Sequence, residues 1–352
     1  MAHDAALVAR LLDEARSLVL GEIRRAIADR RRTGYAPLYD QLEVYPFREG
    51  KGLRPAILLS ACRSVGGWTE QAIVSATAVE LFHNAFLVHD DIEDGSELRR
   101  GLVTLPEQFG VPSAVNVGDA TNVLAIAMLL DNLEVLGVRK ALLTIREIER
   151  MARESVEGQA IELEWIRLRH YDLSDDDYAR MAHKKTCWYT VIAPLRLGVI
   201  AGSVPGVGAP TDTELEPLIG VGFLAGIAFQ IQDDLLNLVG DPGVYGKEAA
   251  GDLWEGKRTV MLNHFIRGAS APVRDRALAV LNTERRDKDA AEVSWLHAAM
   301  HEAGSIEHGR RLANEYCERA LEAYAQMNVF TVDGTDRRFL QEMLTYVIDR
   351  IK

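Results

Sequence analysis

Apolar residues recur along most of the chain at spacings of three and four, the period of a helix packed on one side. Ala5 to Ile27 carries Leu7, Leu11, Leu18 and Ile23 among charged residues and reads as an amphipathic helix. Arg30 to Pro55 is loop-rich, with Gly34, Pro37, Pro46, Gly50 and Gly52. Pro55 suits the first turn of a helix that continues through Val65. Glu70 to about Asp91 is apolar on nearly every face, which predicts a buried helix. Gly101 to Pro112 reads as a loop, then Ala114–Leu136 and Val138–Leu168 as helices. Ser174 with Asp177 three residues on resembles a helix N-cap, opening a helix through Tyr178 and Lys185. Gly202 to Pro210 is a connection, and Leu215–Leu238 is a second buried helix. That helix keeps Gly220, Gly222 and Gly226, each costing roughly 1 kcal/mol against alanine; close helix packing is a reason to keep them. Gly240–Gly256 is a glycine-rich loop, and the rest is helical to Lys352. No run alternates as strands do. The pattern predicts an all-α bundle of roughly ten or more helices.

Composition narrows this picture. With 352 residues, 48% hydrophobic and 26% charged, the chain buries a sizeable core and is not wholly disordered. No proline-, glycine- or serine-rich tract, charge block or repeat divides it, so residues 1–352 read as one domain. A net charge of -12 argues against nucleic acid or an anionic membrane surface as a partner. An anionic substrate then needs local basic groups or metal ions. Cys62, Cys187 and Cys317 are odd in number and far apart, which favours a reducing compartment over a disulfide scaffold or thiolate zinc site. Met1 to Leu20 lacks the pattern of a secretory signal. No apolar run reaches membrane-spanning length; Val191 to Val204 comes nearest and Arg196 interrupts it. The expected location is the cytoplasm.

Chemistry concentrates at two helix ends. Asp90-Asp91-Ile92-Glu93-Asp94 closes the first apolar helix, and Asp90 and Asp94, four apart, share a face. Asp233-Asp234-Leu235-Leu236-Asn237 closes the second, after Phe229-Gln230-Ile231-Gln232. A solvated acidic end explains either alone. Two together could face each other and hold hard cations that bridge to phosphates. Neither has the alternation of an EF-hand loop. Basic residues surround them. Lys51 and Arg54 flank Gly52 before a helix start, an arrangement suited to an anion. Arg99 and Arg100 follow the first acidic motif, Lys185-Thr186 lies within a helix, and Lys247 and Lys257 bracket Asp252. Each is a surface cation by default; their placement points to a polyanion such as diphosphate. His83, seven residues before Asp90, shares its face, as does Phe86. His89 lies on another face and reads as structural.

In order along the chain these elements resemble the trans-isoprenyl diphosphate synthase family. Gly50-Lys51-Gly52-Leu53-Arg54-Pro55, Asp90 to Gly101, Gly118-Asp119, Gly158-Gln159, Lys185-Thr186, Phe229 to Asp234, Gly246-Lys247, Asp252 and Gly256 to Thr259 carry the resemblance. It implies a single bundle around a central apolar cavity and a Mg²⁺-dependent condensation of isopentenyl diphosphate with an allylic diphosphate. It assigns Asp90, Asp94 and Asp233 to Mg²⁺, with Asp91 and Asp234 in support and Asn237 in place of a third aspartate. It implies about three ions, each bridging carboxylates to phosphate oxygens. It places Arg99, Lys185, Lys247 and Lys257 on the allylic diphosphate. Lys51, Arg54, His83 and Arg100 would hold the second diphosphate, and Thr186 and Gln230 would line the reacting centre. A homodimer is implied on the same ground.

The resemblance has departures: Asn237 brings no charge, Val103 and Pro106 alter the loop after Gly101, and Glu49-Gly50 replaces two glycines. Product length is expected from the residues one turn before Asp90, the open Ala85 and the bulky Phe86, since one turn of about 5.4 Å matches roughly one isoprene unit. They favour a C20 product, geranylgeranyl diphosphate, with farnesyl or a longer chain as alternatives. A class I terpene cyclase, a non-catalytic partner subunit and a Mg²⁺ phosphohydrolase are the competing readings. Phe86→Ala is expected to lengthen the product by at least one isoprene unit in product mass spectra; an unchanged length places the floor elsewhere.

Overall fold

The amphipathic N-terminal stretch folds as α1 (Ala5–Thr33), held at its start by Asp4, whose carboxylate accepts the Leu7 backbone N–H. The computed structural model describes residues 4–48, 50–203, 209–240 and 250–348. A short α2 (Ala36–Leu42) lies where a loop is expected. Then come α3 (Leu53–Ser64) and α4 (Thr69–Glu93), the first of the buried helices. Helix α4 packs against α3 and against α6 (Val111–Arg167), a long helix that breaks at Gly137. Gly137 takes φ 70°, where only glycine is unstrained, so the two helices predicted on either side meet there. Between α4 and α6 sit α5 (Leu105–Phe109) and a hairpin, β1 (Leu98–Arg99) antiparallel to β2 (Leu102–Val103). Two-residue strands are too short for alternation to show in a sequence. Arg100 and Gly101 reverse the chain at positive φ.

Ser174 caps α7 (Asp175–Ala182) through the box with Asp177, as predicted. The helix does not stay α through Lys185. His183–Ile192 winds as a π segment before α8 (Ala193–Gly202) and α9 (Asp212–Val239). Glycines on both neighbours let backbones close on it. A β-carbon on Gly158 of α6 would stand 2.1 Å from the Lys185 nitrogen, and one on Gly226 of α9 2.6 Å from Cys187 Sγ. Gly220 faces open space, so packing does not explain it. Arg196, which interrupts the apolar run of α8, is fully buried and bidentate on Glu147, at 2.6 and 3.0 Å.

Helices α10 (Gly251–Glu255), α11 (Val260–Gly268), α12 (Ala271–Asn282), α13 (Ala290–Glu302), α14 (Ser305–Ala325) and α15 (Thr335–Ile348) complete the bundle. A 3₁₀ turn, Arg285–Asp287, joins α12 to α13. Helix α9 packs on α14 and on the π segment.

One expectation is corrected. By length and composition α4, α6 and α9 are each apolar enough to cross a membrane. Scattered charged and polar residues break each of these apolar stretches, so none stands out as an uninterrupted run. Helix α4 uses most of that surface inside the fold, whereas α6 leaves much of its own exposed.

Gly158→Ala is expected to destabilise the fold by about 1–3 kcal/mol in chemical denaturation, because the new methyl meets backbone. Gly21→Ala, with nothing within 4 Å, should not. Equal stability of the two variants would refute the close approach.

Candidate active site

A cleft at the end of α9 is lined by Glu162, Tyr178, Met181, Lys185, Thr186, Gln230, Asp233, Asp234, Asp252, Lys257, Arg258 and Thr259. Two lysines of the cleft reach the acidic end of α4. Lys185 Nζ pairs with Glu162 and stands 3.7 Å from Asp90. Lys257 Nζ is 3.0 Å from Asp94, 2.9 Å from Glu255 and 3.9 Å from Asp252. Burial works against both charges, but the carboxylates win. Glu162 and Asp90 raise the Lys185 pKa; Asp94 and Glu255 raise that of Lys257. Beside them Thr186 donates to Gln230 Oε1 at 2.6 Å, and Gln230 Nε2 donates to Asp234 at 2.8 Å. The Tyr178 hydroxyl donates to the other Asp234 oxygen at 2.7 Å.

Not every residue singled out from the sequence faces the cleft. Asp91 is fully buried and taken by Arg99, whose Nε lies 2.7–2.8 Å from both carboxylate oxygens, and by the Tyr45 hydroxyl. Arg99 reaches Asp90 only at 3.4 Å. The pair ties the hairpin to α4 and so holds Asp90 and Asp94 in place. Asn237 Oδ1 accepts the Asp252 backbone N–H at 3.0 Å, and its carbonyl accepts that of Ala250. It anchors α10 to α9 through an oxygen acceptor, work that needs no charge. Lys247 lies outside the described residues. His89 turns to α6, 3.6 Å from Asp119, as its helix face predicts.

A second basic group gathers on Tyr189 of the π segment. The Arg54 guanidinium lies over its ring at 4.5 Å and donates to Thr190 at 3.1 Å. His83 stacks on the same ring, with centroids 5.7 Å apart, and Phe86 meets it edge-on at 5.8 Å. Burial, then Arg54 and Arg100, push the His83 pKa well below its usual value, so the ring is neutral. Arg100 is held by the Arg48 carbonyl at 3.2 Å, and Lys51 is exposed. Ala85 is fully buried on α4. Sequence reasoning missed Tyr189, Glu162 and Glu255. Glu162 alone left a signal, lying four residues after Gly158 on the same face of α6.

Among the described residues no group of three or more His, Cys, Asp or Glu is gathered as a metal cage. Asp90, Asp94 and Asp233 nonetheless offer oxygen donors only. That set fits Mg²⁺, which binds through one or two carboxylates and takes its other ligands from water and phosphate. Burial pushes Asp94 and Asp234 up to about 7.

The family model described as Polyprenyl synthetase matches residues 36–300. The chain belongs to the polyprenyl synthetase family. This synthase is 31% identical over 307 residues to the geranylfarnesyl diphosphate synthase of Aeropyrum pernix, covering 86% of this chain and 91% of that one. The geranylgeranyl pyrophosphate synthetase of Pyrococcus horikoshii superposes with a TM-score of 0.82 at 28% identity, over 98% of both chains. A Caulobacter crescentus polyprenyl synthase, solved with calcium and isoprenyl diphosphate, gives 0.81 at 27% identity, over 100% of this chain and 99% of that one. The all-α synthase fold is thereby shared, and the chain is a prenyltransferase.

The raised carboxyls set a pH dependence. Between the unfolded pKa near 4 and the folded value of about 7, the folded state keeps protons that the unfolded chain has lost. Without metal, stability therefore falls as pH rises through that window. Mg²⁺ competes with those protons, so its stabilising shift in Tm is expected to be larger at pH 8 than at pH 6. An equal shift at both would contradict the account.

Proposed function

We propose that this prenyltransferase condenses isopentenyl diphosphate head to tail with an allylic diphosphate and releases diphosphate. The observation that carries the reading is the pair of lysines, Lys185 and Lys257, that line the cleft with Asp233 and Asp234 and reach Asp90 and Asp94 of α4. A separate basic group stands apart, with Arg54 and His83 on Tyr189 and Arg100 close enough to act on His83. Two diphosphates thus have two places. Lys185 and Lys257 neutralise the departing diphosphate of the allylic substrate, which is electrostatic stabilisation aimed at developing charge. About three Mg²⁺ ions, when bound at Asp90, Asp94 and Asp233, would supply further positive charge to that leaving group. Arg54, Arg100 and Lys51 hold the second diphosphate, with His83 as a neutral hydrogen-bonding partner. Thr186 and Gln230 orient the reacting end. Phe82, Phe86 and Tyr189 form an apolar wall that keeps water from the allylic cation. The isopentenyl double bond attacks, and the lost proton passes to the released diphosphate.

The relatives' names support a C20 product, geranylgeranyl diphosphate, with C25 as the nearest alternative. Phe86 against Tyr189 is consistent with a short chain. A homodimer belongs to the same proposal. Val123, Ile126, Leu130 and Leu133 of α6 form an exposed apolar row at helical spacing, suited to a second copy. A cytoplasmic location is also proposed. A terpene cyclase would not use the Arg54, His83 and Arg100 group. A small polar phosphohydrolase substrate would leave the apolar wall without a purpose.

Incubation with Mg²⁺, isopentenyl diphosphate and C5, C10 or C15 allylic diphosphates is expected to give longer linear diphosphates by mass spectrometry. Asp90→Ala should cut turnover by at least about a hundredfold with the fold intact. Hydrocarbon formed without isopentenyl diphosphate would favour a cyclase. No product with any primer would favour a partner subunit.

A further inference from the structure

Lys257 has two carboxylates in near-equal reach, and they differ in kind. Asp94, at 3.0 Å, ends α4 and belongs to the acidic cluster. Glu255, at 2.9 Å, ends α10 and belongs to no motif recognised in the sequence. Glu255 is itself fixed independently of the lysine. Its Oε1 lies 3.5 Å from Arg285 Nη1 on the 3₁₀ turn and accepts from the Ser96 hydroxyl at 3.4 Å. Its side chain is only 9% exposed, so the carboxylate has little room to swing away. A carboxylate, an ammonium, a carboxylate and a guanidinium thus alternate from α4 to the turn before α13.

We infer that Glu255 is a positioning residue that keeps Lys257 at the rim of the cleft once a divalent cation takes Asp94. The inference rests on the metal reading of Asp94 given above. The physics is a competition for one carboxylate. An ammonium 3.0 Å from Asp94 repels any second cation that approaches it. With Glu255 in place the ammonium keeps a buried, anchored partner after leaving Asp94, and it stays where a departing diphosphate needs it. Without Glu255 the lysine has, among the described residues, only Asp94 as a close partner, with Asp252 at 3.9 Å. It then holds Asp94 against the metal. Glu255 therefore contributes to metal uptake without being a ligand.

The test is calorimetric titration of Mg²⁺ into the full chain with an unreactive thiolo-linked allylic diphosphate, for wild type, Glu255→Gln, Lys257→Met and the double variant. Glu255→Gln is expected to weaken Mg²⁺ binding about tenfold, and less than about twofold when Lys257 is already Met. Arg285→Ala, remote from substrate, should shift affinity in the same direction as Glu255→Gln by loosening its anchor, and serves if that variant folds poorly. The KM for the allylic diphosphate should rise while that for isopentenyl diphosphate stays put. Unchanged Mg²⁺ affinity in Glu255→Gln overturns the inference. So does equal weakening with and without Lys257, which would mean that the glutamate acts only through its charge. A wild-type chain that takes up no Mg²⁺ would sink the metal reading and this inference with it, a result distinct from either.

Discussion

Carboxylates crowded at the ends of two buried helices cannot stay ionised without cations beside them, and the rest of the structure answers that constraint. Lys185 and Lys257 answer it in the protein alone, each seated among acids from different helices. Asp94 and Asp234 show the remaining strain, with proton affinities raised by burial to about 7. A site balanced in this way is prepared for an exchange. Metal ions can take the carboxylates while the ammonium groups pass to phosphate oxygens, and the total charge stays compensated at each stage.

The fold supplies the geometry for that exchange through backbone contacts more than through side chains. The π segment sets Lys185, Thr186 and Tyr189 between α6 and α9, and glycines on both helices allow the approach. The Asp91–Arg99 pair and the Tyr45 hydroxyl lock the end of α4 to the hairpin. Asn237 and Glu255 do the same for α10, from α9 and from the turn before α13. The carboxylates of both helix ends are thus held by neighbours packed behind them.

Much of this was legible in the sequence, for identifiable reasons. Helices α4 and α9 declared themselves because they are apolar all round, and their acidic ends stood out because charge is expensive there. Gly137 marked the break in α6, and Ser174 with Asp177 marked a start. The π segment was not legible, because its sequence has ordinary helical periodicity and the glycines that admit it lie more than twenty residues away on each side. The division of labour inside the motifs was hidden too. Nothing in Asp90-Asp91 tells which carboxylate turns to Arg99, and nothing in Asn237 shows that it holds a backbone N–H. Glu162 and Glu255 sit in unremarkable stretches and gain meaning only when the fold sets them against lysines. The apolar face of α6 escaped because its run is punctuated by charge.

The most direct test of the account is a crystal structure with Mg²⁺ and an unreactive allylic diphosphate. The account predicts metal ions between Asp90, Asp94 and Asp233, with the Lys185 and Lys257 ammonium groups moved from Asp90 and Asp94 onto phosphate oxygens. A diphosphate bound elsewhere, with both lysines still seated on those aspartates, would contradict it.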